Sequence, residues 1–178
     1  MTAWAQPPLV RAVLSGYTLP LDGVHGPAHW LRVLANGCAL AALTPDADAE
    51  VVGLFALLHD SRRVNEHTDP QHGQRAADFV RQLAGQDLLP MEGPRVTVLA
   101  AACARHELGE VADHPTIGCC WDADRLELSR LHRRPKPALL STKAALDPDV
   151  QASAWARGIG QRVDPVLARE WGLPWRNV

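Results

Sequence analysis

The chain has 178 residues and a mass of 19.4 kDa, which suits one domain. Its 18 Lys and Arg against 20 Asp and Glu give a formal charge of −2, which argues against a general nucleic-acid-binding protein because such proteins carry a clear basic excess. The longest apolar stretches, 51–58 and 96–104, fall far short of the roughly 18 to 20 residues that a membrane span needs.

The first third of the chain predicts three helices. Residues 9–14 give a short helix, followed by a Pro- and Gly-rich loop. A helix over 27–43 begins with a proline, which suits a first helical turn. Asp46 or Asp48 is then expected to cap a helix that runs to about residue 60. That helix is apolar on nearly every side, so we expect it in the centre of the domain.

The rest of the chain predicts further helices separated by loops. The expected helices cover about 70–84, 94–108, 122–131, 141–158 and 165–171. Asp69 followed by Pro70 is expected to start the first of them, and residues 111–118 are expected to form a loop. No alternating strand pattern longer than a few residues occurs, and no internal repeat is present. The fold class is therefore all-α, with about seven helices.

His59 and Asp60 end the most apolar helix, so an imidazole and a carboxylate are expected inside the domain. Burying such a pair is costly unless each group is paired or coordinated. A divalent cation satisfies both groups, because neutral imidazole and carboxylate are natural ligands for it. The alternative is a helix-capping His59 followed by an Asp60 that starts a turn.

Two further motifs accompany this pair in a fixed order. His29 lies in the run His29-Trp30-Leu31-Arg32-Val33, and Asp124 lies in Ala123-Asp124-Arg125-Leu126. The ordered set His29, His59-Asp60 and Asp124 resembles the HD-domain superfamily of metal-dependent phosphohydrolases, over about residues 24–132. The resemblance implies an HD-type helical bundle. Residues 133–178 lie outside it and are expected to form a helical extension packed on the core, so that residues 1–178 make a single domain.

The resemblance also implies a centre with one or two divalent cations. A first site would have as its ligands His29, His59, Asp60 and Asp124. A second, looser site would use Asp60 as a bridge together with His72 and His106. Iron, manganese, cobalt, nickel, zinc and magnesium are all candidates for mixed nitrogen and oxygen ligands. The alternatives are a solvent-facing His72 in a first helical turn and a His106 stabilised by the helix dipole.

Phosphate ester hydrolysis also needs cationic groups on the phosphate oxygens. Five arginines stand beside the ligand segments: Arg32, Arg62, Arg63, Arg75 and Arg125. For Arg62 and Arg63 a substrate contact and a surface ion pair are equally weighted. Glu66 is expected to orient a water or carry a proton, or else to remain a solvated loop carboxylate. The expected catalytic residues are thus Asp60, Arg62, Arg63 and Glu66.

Other side chains near these motifs have open roles. His25 is expected behind the ligands, and Asp122 is expected as a helix N-cap or as an acceptor for a ligand imidazole. The remaining histidines are expected at the surface: His67, His114 and His132. Three tryptophans are expected either to pack or to form a homodimer contact: Trp155, Trp171 and Trp175.

The resemblance and the predicted metal ligands together imply hydrolysis of a phosphomonoester or phosphoanhydride. A nucleotide is the expected small phosphorylated substrate. Many nucleotidases and alarmone hydrolases carry an acidic residue soon after the His-Asp pair, where this chain has Ser61-Arg62-Arg63. The catalytic role of that acid is therefore not assigned to this stretch of the chain. Two alternatives are a di-iron HD-type oxygenase and a non-catalytic sensor domain that binds a metal or a nucleotide.

The N-terminal residues and the cysteines favour a reducing, cytoplasmic location. Residues 1–8 lack a basic segment followed by an apolar block, so no secretory signal is expected. The four cysteines form no CxxC pair, and the adjacent Cys119 and Cys120 are poorly placed to form a disulfide with each other. We expect free thiols, most of them buried, with no membrane contact and no stable nucleic-acid complex.

Overall fold

The computed structural model describes residues 6–172, and all of the regular secondary structure in that range is helical. We number the α-helices in chain order as α1 Pro7–Ser15, α2 Pro27–Leu43, α3 Ala49–Leu58, α4 His72–Gly85, α5 Pro94–Arg105, α6 Pro115–Leu126, α7 Lys143–Leu146, α8 Pro148–Ile159 and α9 Pro165–Glu170. Two short 3₁₀ helices, Glu127–Leu131 and Pro137–Leu139, follow α6. The predicted all-α class is confirmed. No helix among the described residues is long and apolar enough to cross a bilayer.

Helix α3 lies at the centre of the fold. Asp48 caps it by accepting hydrogen bonds from the backbone N–H groups of Glu50 and Val51, each at 3.1 Å. Every residue from Val51 to Leu58 is buried, and α3 packs against α2, α5 and α6. Because burying one large aliphatic side chain contributes about 1.5–3 kcal/mol, this packing fixes the C-terminal end of α3 inside the protein.

Helices α4 and α5 pack closely on each other at one point. A Cβ atom added at Gly73 would lie 2.7 Å from the backbone oxygen of Cys103 and 3.0 Å from that of Ala104. Only glycine allows this approach without moving one of the two helices. The contact sets the start of α4 beside the end of α5.

Several predicted helix boundaries were wrong. Helix α6 begins at Pro115, not near residue 122, because a proline suits a first turn and the residues predicted as loop continue into the packed segment around Trp121. Helix α4 begins at His72, and Asp69 does not cap it: the Asp69 carboxylate accepts hydrogen bonds from the Val64 N–H and from Arg75.

The C-terminal stretch differs from its prediction in one further respect. The helix expected over 141–158 is divided, because Asp147 is extended and caps α8 ahead of Pro148, whereas α7 ends at Leu146. Helix α8 packs on the 3₁₀ helix after α6 and on α2. Trp171 is buried and Trp155 is half-buried, with the Arg134 guanidinium 4.3 Å from its ring centre. Residues 1–5 and Trp175 lie outside the described residues.

Candidate metal centre

The structure brings the six predicted ligands together from five separate segments. His29 lies in the first turn of α2, and Asp124 lies in the last turn of α6. His59 and Asp60 directly follow α3, His72 begins α4, and His106 directly follows α5. Asp124 keeps 24% of its side chain exposed, whereas the other five predicted ligands are buried. The cluster is therefore closed on most sides and open at Asp124.

Four ligand atoms form a first, compact group. His29 Nε2 lies 3.1 Å from His59 Nε2, 3.5 Å from Asp60 Oδ2 and 3.4 Å from Asp124 Oδ1. His59 Nε2 lies 3.7 Å from each of the same two carboxylate oxygens. Ligand atoms about 2.1 Å from one metal ion in tetrahedral geometry lie about 3.4 Å from each other. The spacing of this group thus fits one cation.

A second group uses the other oxygen of the same carboxylate. Asp60 Oδ1 lies 3.2 Å from His72 Nε2 and 3.6 Å from His106 Nε2, and these two nitrogens are 2.8 Å apart. Asp60 Oδ1 is buried and makes no hydrogen bond. Asp60 therefore stands between the two groups, with one oxygen facing each.

Hydrogen bonds set the tautomers of the imidazoles. His59 Nδ1 points at the carbonyl oxygens of Phe55 and Ala56, each at 3.2 Å. His106 Nδ1 points at the carbonyl oxygen of Cys103 at 2.7 Å, and His72 Nδ1 points at that of Asp69 at 2.5 Å. A carbonyl only accepts, so Nδ1 carries the proton in each ring and Nε2 keeps a lone pair. These lone pairs face one another inside the cluster.

The electrostatics of the cluster favour a bound positive charge. Burial lowers the pKa of His59 to about 3, so this imidazole is neutral near pH 7. Burial alone would raise the pKa of Asp60, but His59 and the side-chain contacts with the other three imidazoles hold it well below its usual range. Burial also opposes ionisation of Asp124, yet His59, His29 and His106 lower its pKa. Two ionised carboxylates thus face the neutral His59 imidazole, and carboxylate and neutral imidazole are donors that suit a divalent cation.

Two carboxylates behind the histidines were missed by the sequence analysis. Glu127 Oε1 lies 3.5 Å from His29 Nδ1, and Glu107 Oε2 lies 3.0 Å from His72 Nδ1. Carboxylates in this position commonly orient a ligand imidazole. The available signals were positional: Glu127 follows Asp124 by three residues, and Glu107 directly follows His106.

Of the five flanking arginines, Arg63 alone has a donor near the cluster among the contacts described for residues 6–172. Its Nη1 lies 3.1 Å from His72 Nε2 and 3.6 Å from Asp60 Oδ1. Arg62 instead donates to the carbonyl oxygens of Val13 and Ser61, and it stacks 3.4 Å above the ring centre of Phe79. The contacts of Arg62 are therefore with α1, Ser61 and Phe79, and none of them is with a predicted ligand.

The other three arginines also serve the fold. Arg32 donates to Glu127 at 2.6 Å, and Arg75 donates to Asp69 at 2.5 Å. Arg125 donates to the backbone oxygens of Leu139 and Glu110.

Glu66 pairs with His25 at the edge of the cluster. Glu66 Oε2 lies 2.6 Å from His25 Nδ1, and the His25 ring meets the His29 ring edge-on with 6.1 Å between centres. The side chains of His25 and Glu66 keep 15% and 26% of their surface exposed. His25 thus lies beside the predicted ligands, as expected, and Glu66 contacts it across two loops.

Asp122 has neither of its expected roles. It lies in the middle of α6, where its carboxylate accepts hydrogen bonds from the backbone N–H groups of Ser141 and Thr142 and from the Thr142 hydroxyl. It therefore ties the connection after the 3₁₀ helices to α6.

The three histidines expected at the surface are exposed: His67, His114 and His132.

No protein-family model and no curated protein matches the chain. Its structure is similar to the crystal structure of a predicted HD superfamily hydrolase from an uncultured Thermotogales bacterium, with a TM-score of 0.62, 19% sequence identity and coverage of 86% of each chain. The expected HD-type helical fold is confirmed by this likeness.

Proposed function

We propose that this protein is a metal-dependent phosphohydrolase that cleaves a phosphomonoester or a phosphoanhydride in a small molecule, with a nucleotide as the expected substrate. The single observation that supports it most is the position of Asp60, whose Oδ2 and Oδ1 each face a separate group of imidazole nitrogens. The likeness in fold to a predicted HD superfamily hydrolase supports the same class.

In this proposal, one cation would be held by His29, His59, Asp60 and Asp124, and a second by Asp60, His72 and His106. When bound, divalent cations of this kind activate water and neutralise charge on phosphate oxygens. The donor set suits iron, manganese, cobalt, nickel and zinc, and magnesium is the candidate that prefers oxygen ligands most strongly.

Arg63 and the Glu66–His25 pair would complete the chemistry. The Arg63 guanidinium beside Asp60 and His72 holds a phosphate oxygen by charge-assisted hydrogen bonds. Glu66 holds the proton of His25 at Nδ1, so His25 presents its other nitrogen at the partly exposed edge of the cluster. There it orients the water or the leaving group of the substrate.

The test is elemental analysis of protein purified without added metal, paired with a phosphatase screen of the wild type and D60A. We expect one or two equivalents of a transition metal in the wild type, and phosphate release that D60A abolishes. Phosphate release is measured under nitrogen as well as in air, since a di-iron oxygenase needs dioxygen whereas hydrolysis does not. A wild type without metal, or activity unchanged by D60A, would remove the proposal. Tight nucleotide binding without turnover would favour the sensor alternative.

A further inference from the structure

We infer that Glu127 is a positioning residue for His29, and that helix α8 supports it through Arg157. The inference rests on the proposed function, since it takes His29 and Asp124 as metal ligands. It assigns a part of the metal centre to the C-terminal stretch that the sequence resemblance leaves out.

Glu127 is a buried carboxylate that lies between the Arg32 guanidinium and the His29 imidazole. It is 1% exposed, it begins the 3₁₀ helix after α6, and its Oε1 lies 2.6 Å from Arg32 Nε and 3.5 Å from His29 Nδ1. Its Oε2 makes no hydrogen bond. The Arg32 guanidinium at 2.6 Å is the charge partner that a buried carboxylate needs. The carboxylate is therefore ionised beside the imidazole.

An ionised carboxylate at this place decides which His29 nitrogen holds the proton. With the proton on Nδ1, toward Glu127, the lone pair of His29 is on Nε2, which is the atom that faces His59 and Asp124. With Glu127 removed, the proton has no fixed preference and the ring can turn. Residues in this role commonly contribute about 10–100-fold to metal affinity.

A second connection starts on α8 and ends beside Asp124. Arg157 donates to Asn36 Oδ1 from Nε at 3.2 Å and from Nη2 at 3.0 Å. The amide nitrogen of Asn36 donates in turn to the backbone oxygen of Ala123 at 3.1 Å. Both ends of the buried Asn36 amide are thus used, and α8 ties α2 to the residue preceding Asp124.

The two connections hold the same pair of segments. Arg32 and Asn36 both lie on α2 with His29, whereas Glu127 and Ala123 flank Asp124. The Glu127 charge also acts on Arg157: burial lowers the pKa of the Arg157 guanidinium, and Glu127 partly offsets that lowering. The distance between His29 and Asp124 is therefore maintained from behind by groups that never touch a substrate.

The experiment measures cation affinity by calorimetry, with Co²⁺ titrated into the full chain after chelation. We expect E127A to weaken one of the bound equivalents by about 10–100-fold and to leave the other unchanged. E127Q should lose less affinity because its amide oxygen can take the place of the carboxylate oxygen that lies 3.5 Å from His29 Nδ1. R157A weakens the same equivalent by about threefold to tenfold, and R157K restores part of that loss. Circular dichroism confirms that each variant is folded.

The control is E50A, which breaks an ion pair with Arg95 at the surface and should bind Co²⁺ like the wild type. If E127A does not fold, E127Q and R157A decide the question. Wild-type affinity in folded E127A, or in folded E127Q and R157A, overturns the inference while the proposed function stands. A wild type that binds no Co²⁺ overturns both.

Discussion

His72 and His106 face each other through their Nε2 atoms, 2.8 Å apart, across the contact between α4 and α5. Both rings direct Nδ1 at a backbone carbonyl, so in their neutral form each presents a lone pair to the other. Two such nitrogens repel unless a proton or a metal ion lies between them. Asp60 accordingly raises the pKa of His106, against the opposing effect of burial, so a proton on His106 competes with a cation for this position.

In the proposed two-cation centre, single ligand substitutions should remove the two ions separately. We expect D124A to lose the cation of the first group and to keep the second, and H106A to do the reverse. D60A should lose both, because its two oxygens face the two groups. Each lost ligand should raise the dissociation constant of its own ion at least about 100-fold. Metal content after gel filtration measures this.

The matched control for these ligand variants is H114A, which removes an exposed histidine and should keep the wild-type metal content. Loss of both ions in D124A, or in H106A, would contradict two separable sites.

Substitution of Arg63 should lower the activity, whereas substitution of Arg62 should lower the stability of the fold. R63A removes the guanidinium beside Asp60 and His72, so kcat/KM for a phosphate ester should fall about 10–100-fold, with partial recovery in R63K. R62A removes a group that binds α1 carbonyls and stacks on Phe79. It should lower the unfolding free energy by about 1–2 kcal/mol and change kcat/KM less than twofold or so. A large loss of kcat/KM in R62A at normal metal content would reverse this assignment.

The close approach at Gly73 should link packing to the second metal group. G73A forces a Cβ against the backbone oxygens of α5, so it should destabilise the protein by about 1–3 kcal/mol and weaken binding of the second cation proposed for His72 and His106. The matched control is G85A in the same helix, where a Cβ meets nothing within 4 Å. It should be neutral or stabilise by up to about 1 kcal/mol. Thermal unfolding with and without metal measures both, and equal effects would refute the steric argument.

Asp48 gives a pH-dependent stability term far from the metal centre. The hydrogen bonds from Arg95 are the largest cause of its lowered pKa, and the capped N–H groups of α3 add to it. A lowered pKa means that the contribution is complete above the unfolded value of about 3.9 and is lost as the pH falls through the folded value. Asparagine still caps a helix and alanine does not, so D48A should lower the unfolding free energy by about 1 kcal/mol more than D48N does at pH 7.

Urea unfolding between pH 7 and pH 3 measures the stability of the wild type, D48N and D48A. The difference in unfolding free energy between the wild type and D48N should be constant down to about pH 5 and shrink below about pH 4. A difference that grows at low pH would contradict the sign.

The sequence predicted the elements that carry the strongest local signals. Apolar residues on nearly every side of 51–58 indicated a central helix, and α3 is buried as expected. The order His29, His59-Asp60, Asp124 led to side chains that do converge. The start of α6 was placed too late because Asp122 has the residue type of an N-cap, although tertiary contacts with residues 141 and 142 use that carboxylate instead.

The roles of the arginines could not be predicted, because proximity in sequence to a ligand does not fix the direction of a long side chain. Arg62 and Arg63 are adjacent, yet one points to α1 and the other to the cluster. Glu127 was missed for a related reason. Its position three residues after Asp124 is a weak signal, and its partners Arg32 and His29 lie 95 or more residues earlier in the chain.

The cysteines provide a built-in reporter of motion around the centre. Cys38 is exposed, whereas Cys103, Cys119 and Cys120 are buried. Cys103 lies three residues before His106, accepts its Nδ1 proton through the backbone, and has a thiol pKa raised by burial. With Cys38 replaced by serine, a thiol reagent can modify Cys103 only when the end of α5 opens. The rate of that labelling therefore measures how often the second half of the cluster comes apart in the folded chain.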